Sequence, residues 1–247
     1  MTVYIERGGD DGPTVLLLHG SGATAAVWAP VLRELGGLRW ITVDLPGHGR
    51  SGWLPAYHHH DYAGAIGEAL GTTDIDLVVG HSLGALVALT LADRVHVGAV
   101  TAIAMKVVWT PGQLARRAAQ ANRPQRTFTD RDDALRLFAK VSGLPEDSPG
   151  LATGIRHTPA GYCLAADPRL TTDPPATQEE LAEVMDRVRV PVRLACGDAD
   201  PGIEPADMSA VLGRDVAVIP GAGHNPHIDD PAGVATLITT DLAAARG

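Results

Sequence analysis

An α/β fold is the class this sequence predicts: a doubly wound, mostly parallel sheet carrying a helical lid insertion. Three observations predict it. Short apolar runs stop at glycines, helical stretches alternate with those runs, and one long polar segment interrupts the alternation. The 247 residues suit one large domain with an insertion better than two independent cores.

Val15-Leu16-Leu17-Leu18 ends at His19-Gly20-Ser21-Gly22, and its brevity and glycine stop favour a buried strand over a helix. Trp40 to Asp44 reads the same way and is ended by Pro46-Gly47-His48-Gly49. Further strands are expected at Ile75–Gly80, Val97–Ala104, Val190–Cys196 and Val216–Pro220, with a short leading strand around Tyr4. Their continuous apolar character is that of parallel strands buried on both faces. Helices are expected at 24–35, 61–70, 83–94, 203–212 and 230–245.

The alternation breaks between Lys106 and Arg189, where Gln113–Ala121 and Arg131–Val141 read as helices joined by Pro- and Gly-rich links. The expected organisation is therefore a core of residues 1–105 and 190–247 with a cap at 106–189. A parallel crossover needs far less chain than this, and surplus chain at strand ends lies where open α/β sheets bind ligands. The segment is expected to cover the site, to open on its Pro/Gly links and to set specificity.

A net charge of -9 and the lack of a Lys/Arg run argue against a nucleic-acid partner or an anionic membrane surface. Cys163 and Cys196 stand far apart without metal spacing and permit at most one disulfide. The chain has no basic start leading into an apolar stretch and no apolar run of membrane-spanning length, so a cytoplasmic protein acting on a small molecule is expected.

Gly80-His81-Ser82-Leu83-Gly84 carries the chemistry. It lies between an apolar strand and an Ala/Leu-rich helix, the context in which G-x-S-x-G holds a serine on a tight strand-to-helix turn. A serine hydroxyl needs a base to take its proton. His224, in the Gly-rich turn after the last strand, is the candidate, with His81 and His227 as weaker alternatives. Consecutive residues rarely converge on one ion, so His58-His59-His60 is read as a solvated loop and no metal or organic cofactor is expected.

Five motifs in order resemble the α/β-hydrolase superfamily. They are Leu18-His19-Gly20-Ser21-Gly22, Asp44-Leu45-Pro46-Gly47-His48-Gly49-Arg50-Ser51, the turn at Ser82, Gly197-Asp198-Ala199-Asp200 and Gly221-Ala222-Gly223-His224. The resemblance implies a catalytic triad in the order Ser82, Asp200, His224. The family's G-x-x-D pattern selects Asp200 over Asp198, which would then be a local turn former. It also implies an oxyanion hole made by the Leu83 N–H and that of Ser21, with Gly22 as the alternative. Asp44 to Ser51 is assigned to structure.

The implied activity is hydrolysis of a carboxylic ester, lactone or thioester through an acyl-serine intermediate. C–C bond hydrolases, acyltransferases and cofactor-free haloperoxidases share the same triad, and the fold also serves as a ligand receptor. In the insertion, Trp109, Phe128, Phe138, Leu144 and Tyr162 are candidates for the pocket lining, with core packing as the other explanation. Arg116, Arg117, Arg123 and Arg126 suit either a substrate carboxylate or a solvated face balanced by Asp130, Asp132 and Asp133.

Overall fold

The computed structural model describes residues 1–246. Its main sheet has seven strands: β1 (Tyr4–Gly9), β2 (Thr14–Leu18), β3 (Arg39–Asp44), β4 (Ile75–His81), β5 (Val97–Ile103), β8 (Val192–Gly197) and β9 (Val216–Ile219). A separate two-stranded hairpin pairs β6 (Ile155–Thr158) with β7 (Gly161–Leu164). The helices are α1 (Ala29–Glu34), α2 (His59–Leu70), α3 (Leu83–Leu91), α4 (Pro111–Ala121), α5 (Arg131–Ser142), α6 (Gln178–Arg187), α7 (Pro205–Leu212), α8 (Pro226–Asp229) and α9 (Pro231–Arg246). None is long and apolar enough to cross a membrane.

The strand order is β1-β3-β2-β4-β5-β8-β9, with β1 antiparallel to β3 and the other pairs parallel. All five residues of β2 are buried and β4 is nearly so, as the apolar runs predict for strands covered on both faces. Helices α2, α3, α6 and α7 pack together on one face, while α1, α8 and α9 cover the other. From β2 the chain moves outward to β3 and then returns to β4 on β2's other side. This reversal leaves a crevice at the carboxyl ends of β2 and β4, the place where open parallel sheets bind ligands. His19-Gly20-Ser21-Gly22 follows β2 and Ser82 follows β4, so both meet there.

The expected strands and core helices are present, with two differences. The stretch expected to be helical from 24 begins as a 3-10 turn at Ala25–Trp28, because Asp44 Oδ1 captures the Ala25 N–H at 2.9 Å and Pro30 opens the α-helix that follows. The segment after β5 is not wholly helical. Besides α4, α5 and α6 it holds the β6–β7 hairpin and two further 3-10 turns, at Pro149–Gly154 and Pro168–Thr171. Each hairpin strand has only four residues and mixed burial, too short a pattern to stand out from polar links. Cys163, in β7, and Cys196, in β8, are buried free thiols.

Two buried histidines shape the loops at the crevice. His19 Nδ1–H donates to Gly20 O at 2.7 Å, and its Nε2 accepts the Leu45 N–H at 2.9 Å. His48 Nδ1–H donates to Pro46 O at 3.1 Å, and its Nε2 accepts the Gly22 N–H at 3.0 Å. A ring nitrogen that accepts carries no proton, so both rings are neutral. They meet edge to face at 5.1 Å. Beside them Asp44 gathers the Ala25 N–H on Oδ1 and the Arg50 N–H and Nε–H on Oδ2. Burial opposes its charge, but these donors outweigh burial and hold the carboxyl below the usual range.

His59, His81 and His227 are buried as well. Burial pushes all five rings below the ordinary histidine range, His48 and His227 to about 3 and His59 to about 4, with neighbouring histidines adding to the effect in these three. Unfolded histidines protonate from about pH 6.5 downward, whereas the folded His48, His59 and His227 rings do not until pH approaches 4 or 3. Their contribution to stability is therefore complete above about pH 6.5 and is lost as pH falls from there. Each ring costs roughly 2 kcal/mol by pH 5. Because the His227 Nδ1 has no hydrogen-bond partner, His227→Phe keeps a ring and removes a titrating group. Its loss of unfolding free energy between pH 7.5 and pH 5 should be smaller than the parent's by roughly 2 kcal/mol in urea titrations. An unchanged pH slope would refute the assignment.

Candidate active site

The turn at Ser82 is governed by two close approaches. A Cβ on Gly80 would stand 2.1 Å from Gly84 O, and one on Gly84 would stand 2.4 Å from Leu18 O. Only glycine fits at either position, so β4, α3 and the end of β2 come together tightly. Ser82 is thereby held at φ 51°, ψ -113°, a left-handed backbone that a non-glycine residue rarely adopts and that costs about 1–3 kcal/mol. Its N–H donates to Ile103 O at 2.8 Å, anchoring the strained residue to β5.

Ser82 lines a cavity of about 290 Å³, and its Oγ makes no hydrogen bond to another described residue. Leu83 opens α3, where a backbone N–H lacks an intrahelical acceptor. Neither this N–H nor that of Ser21 donates to another group among the described residues, and both residues line the same cavity. The Gly22 N–H, by contrast, is taken by His48 Nε2. Of the two donors considered for the loop after β2, only Ser21 is left free.

His224 and Asp200 are joined across the ends of β8 and β9. His224 Nδ1–H donates to Asp200 Oδ2 at 2.7 Å, and Gly202 N–H donates to Asp200 Oδ1 at 2.8 Å. The Asp200 side chain is 2% exposed and that of His224 42% exposed. Asp198 instead accepts the Gly221 N–H at 2.7 Å on an exposed turn, the local role expected of it. The His224 loop is docked next to Ser82, because His81 Nε2–H donates to His224 O at 2.7 Å and the two rings lie 5.1 Å apart. His224 is half-exposed and is not among the residues that line the cavity.

The structure gives several side chains roles other than those expected of them. His81 was a weaker candidate for the base, yet it is the residue that fixes the His224 loop. His48, assigned to structure, fixes the Gly22 amide. His59 is not part of a solvated loop: it is buried in α2, hydrogen-bonds Thr90 Oγ1 at 2.9 Å and lines the cavity. His58 caps the same helix. Of the aromatic and aliphatic side chains considered for the pocket lining, Trp109 lines this cavity. Phe138 and Leu144 are core, and Phe128 bridges to Tyr162. Of the four arginines only Arg117 reaches the cavity.

The pattern of the Alpha/beta hydrolase family matches residues 15–237. A pimeloyl-[acyl-carrier protein] methyl ester esterase of Methylococcus capsulatus is 30% identical over 230 residues, covering 87% of this chain and 86% of that one. A 2-succinyl-6-hydroxy-2,4-cyclohexadiene-1-carboxylate synthase of Escherichia coli is 28% identical over 234 residues, covering 90% of each. Among solved structures, E-2-(acetamidomethylene)succinate hydrolase superposes with a TM-score of 0.81 at 24% identity, over 98% of this chain and 95% of that one, a likeness of fold. With its parallel sheet, the strained serine after β4 and a family match that spans most of its length, the chain is an enzyme of the alpha/beta hydrolase family.

Proposed function

We propose that this enzyme hydrolyses a carboxylic ester, lactone or thioester through an acyl-serine intermediate on Ser82. The observation that carries the reading is the convergence of a strained serine with two free amides and a hydrogen-bonded Asp200–His224 pair docked beside it. The relative named as a methyl ester esterase adds support.

The chemistry follows from the hydrogen bonds. Because His224 Nδ1 donates to Asp200, its Nε2 carries the lone pair and acts as general base. As Ser82 Oγ attacks the substrate carbonyl, its proton passes to Nε2, and the imidazolium so formed is stabilised by Asp200. The carbonyl oxygen becomes an oxyanion held by the Leu83 and Ser21 N–H groups, pre-aimed donors that need no reorganisation. Collapse breaks the bond to the leaving oxygen or sulfur, which takes the proton from His224. A water then attacks the acyl-serine by the same route and restores the hydroxyl. His81 is a positioning residue, acting through the His224 backbone. Since Ser82 lines the cavity and His224 is half-exposed, the reading sends the acyl group into the cavity and the leaving group towards solvent.

The cap reading narrows. Helix α6 packs against α7 and α3, as the crossover from β5 to β8 requires. The chain that covers the cavity is therefore proposed to run from Lys106 to Thr177. It contributes Lys106, Trp109, Arg117 and Leu170 to the walls, and its choice of side chains sets acyl specificity. It is tied to the core at several points, among them Gly49 N–H donating to Ala165 O at 2.7 Å and Asp167 N–H to Gly47 O at 2.8 Å.

Ser82→Ala should lower ester turnover by about three or more orders of magnitude without loss of fold. A fluorophosphonate probe should add its mass to the Ser82 peptide, and an adduct on another serine would overturn the assignment. Removing the acid separates two neighbours. Asp200→Asn should lower kcat by about 10³–10⁴-fold, as loss of a triad carboxylate does. Asp198→Asn, at an exposed turn, should stay within about threefold of the parent by the same measure. The reverse ranking in steady-state assays would make Asp198 the acid.

A further inference from the structure

Two cations, Lys106 and Arg117, line the cavity beside Ser82 together with one acid, Glu180, and neither cation touches a carboxylate among the described residues. Arg117, half-buried on α4, donates Nε–H and Nη2–H to Asp173 O at 3.3 and 3.0 Å and Nη2–H to Leu170 O at 3.3 Å. All of these acceptors are backbone carbonyls, and Nη1 donates to no described residue. Lys106 donates to Gly202 O at 2.6 Å, again a backbone carbonyl. Neither cation has a carboxylate oxygen within 4.0 Å among the described residues. Both stand close to one ring, with Lys106 Nζ 5.3 Å and Arg117 Cζ 5.9 Å from the Trp109 centroid.

This arrangement is costly if it serves structure alone. A guanidinium taken out of water without a counter-charge loses hydration that carbonyl dipoles only partly replace. Burial works against its charge here, and the more distant Tyr62 and Asp173 only partly offset burial. Helix α4 buries none of its own residues, so packing does not dictate which of its side chains faces inward. The nearby acids hold backbone donors rather than the cations: Asp173 Oδ2 accepts the Tyr57 N–H at 2.7 Å, and Glu180, on the cavity wall, accepts the Thr177 N–H with Oε2 at 2.7 Å. The other cation is aimed by the backbone. Ala104 sits at φ 51°, a left-handed conformation at the end of β5, and Met105 and Lys106, which follow it, both line the cavity.

From these observations we infer that the acyl group of the substrate carries a second, free carboxylate, which the Arg117 guanidinium binds inside the cavity with Lys106 supplying the supporting charge. The inference rests on the acyl-serine reading, since it is Ser82 and the cavity it lines that assign the charged end to the acyl group. A planar carboxylate matches the fork of an arginine, and the bond is charge-assisted.

The test compares chain-matched substrates, the mono-4-nitrophenyl ester of adipic acid against 4-nitrophenyl hexanoate. The parent's kcat/KM should favour the acid-bearing ester by about tenfold or more, and Arg117→Ala should bring that ratio down to about one, chiefly through KM. Arg117→Lys should keep part of the preference. A parent ratio at or below one, or an Arg117→Ala variant that slows both esters equally, would overturn the inference. A second arm does not depend on turnover: calorimetric titration of Ser82→Ala with monomethyl adipate and with methyl hexanoate. Tighter binding of the adipate, lost in Ser82→Ala/Arg117→Ala, supports the carboxylate site even if Ser82 proves not to be the nucleophile. Ser82-dependent hydrolysis without any preference for the acid leaves the acyl-serine reading standing and removes this one.

Discussion

The approach of β4, α3 and the end of β2 at Gly80 and Gly84 is the contact on which the rest of the site depends. With no side chain at either glycine, the backbones close to distances that any Cβ would forbid. The strain this imposes is concentrated in Ser82, which must take a left-handed conformation to turn from strand into helix. What results is a hydroxyl held above the sheet, next to the free N–H at the start of α3. A relaxed turn would move the hydroxyl and the amide apart, so strain and proximity are two aspects of one steric fact.

Around that turn the protein uses neutral histidines as clamps. His19 ties the end of β2 to the residue after β3, and His48 ties the turn beyond β3 back to Gly22. His81 ties the turn itself to the loop after β9. In His19 and His48 one ring both donates and accepts, which an imidazole can do only while it stays neutral. Burial enforces neutrality, so the same desolvation that shapes the loops also makes the fold sensitive to mild acid. Asp44 completes the set from the other direction, as a buried carboxylate kept ionised by the N–H groups it gathers.

The cavity reverses that economy of charge. The clamps are buried and uncharged, whereas Lys106 and Arg117 are half-buried and charged, with only carbonyl dipoles in contact. Charge held at a pocket by carbonyl dipoles alone is an expense that a ligand of opposite sign removes. In the proposed reading the cavity takes the acyl group, while the half-exposed imidazole of His224 is open to solvent.

Most of the core fold could be read from the residues alone. Apolar runs stopped by glycine mark β2, β3 and β4, and G-x-S-x-G marks the turn, because these signals are local and steric. The preference for Asp200 over Asp198 came from resemblance, and the structure gives each a separate partner, His224 for the former and the Gly221 N–H for the latter. Tertiary structure alone decided which amides stay free, which histidines act as clamps and which arginine turns inward. Gly22 and His48 are 26 residues apart, His81 and His224 143, and Arg117 and the Leu170 carbonyl 53. Such pairings depend on the order in which strands enter the sheet and on where the covering chain is pinned. No local propensity encodes them, and a short hairpin such as β6–β7, whose strands have four residues each, escapes notice for the same reason.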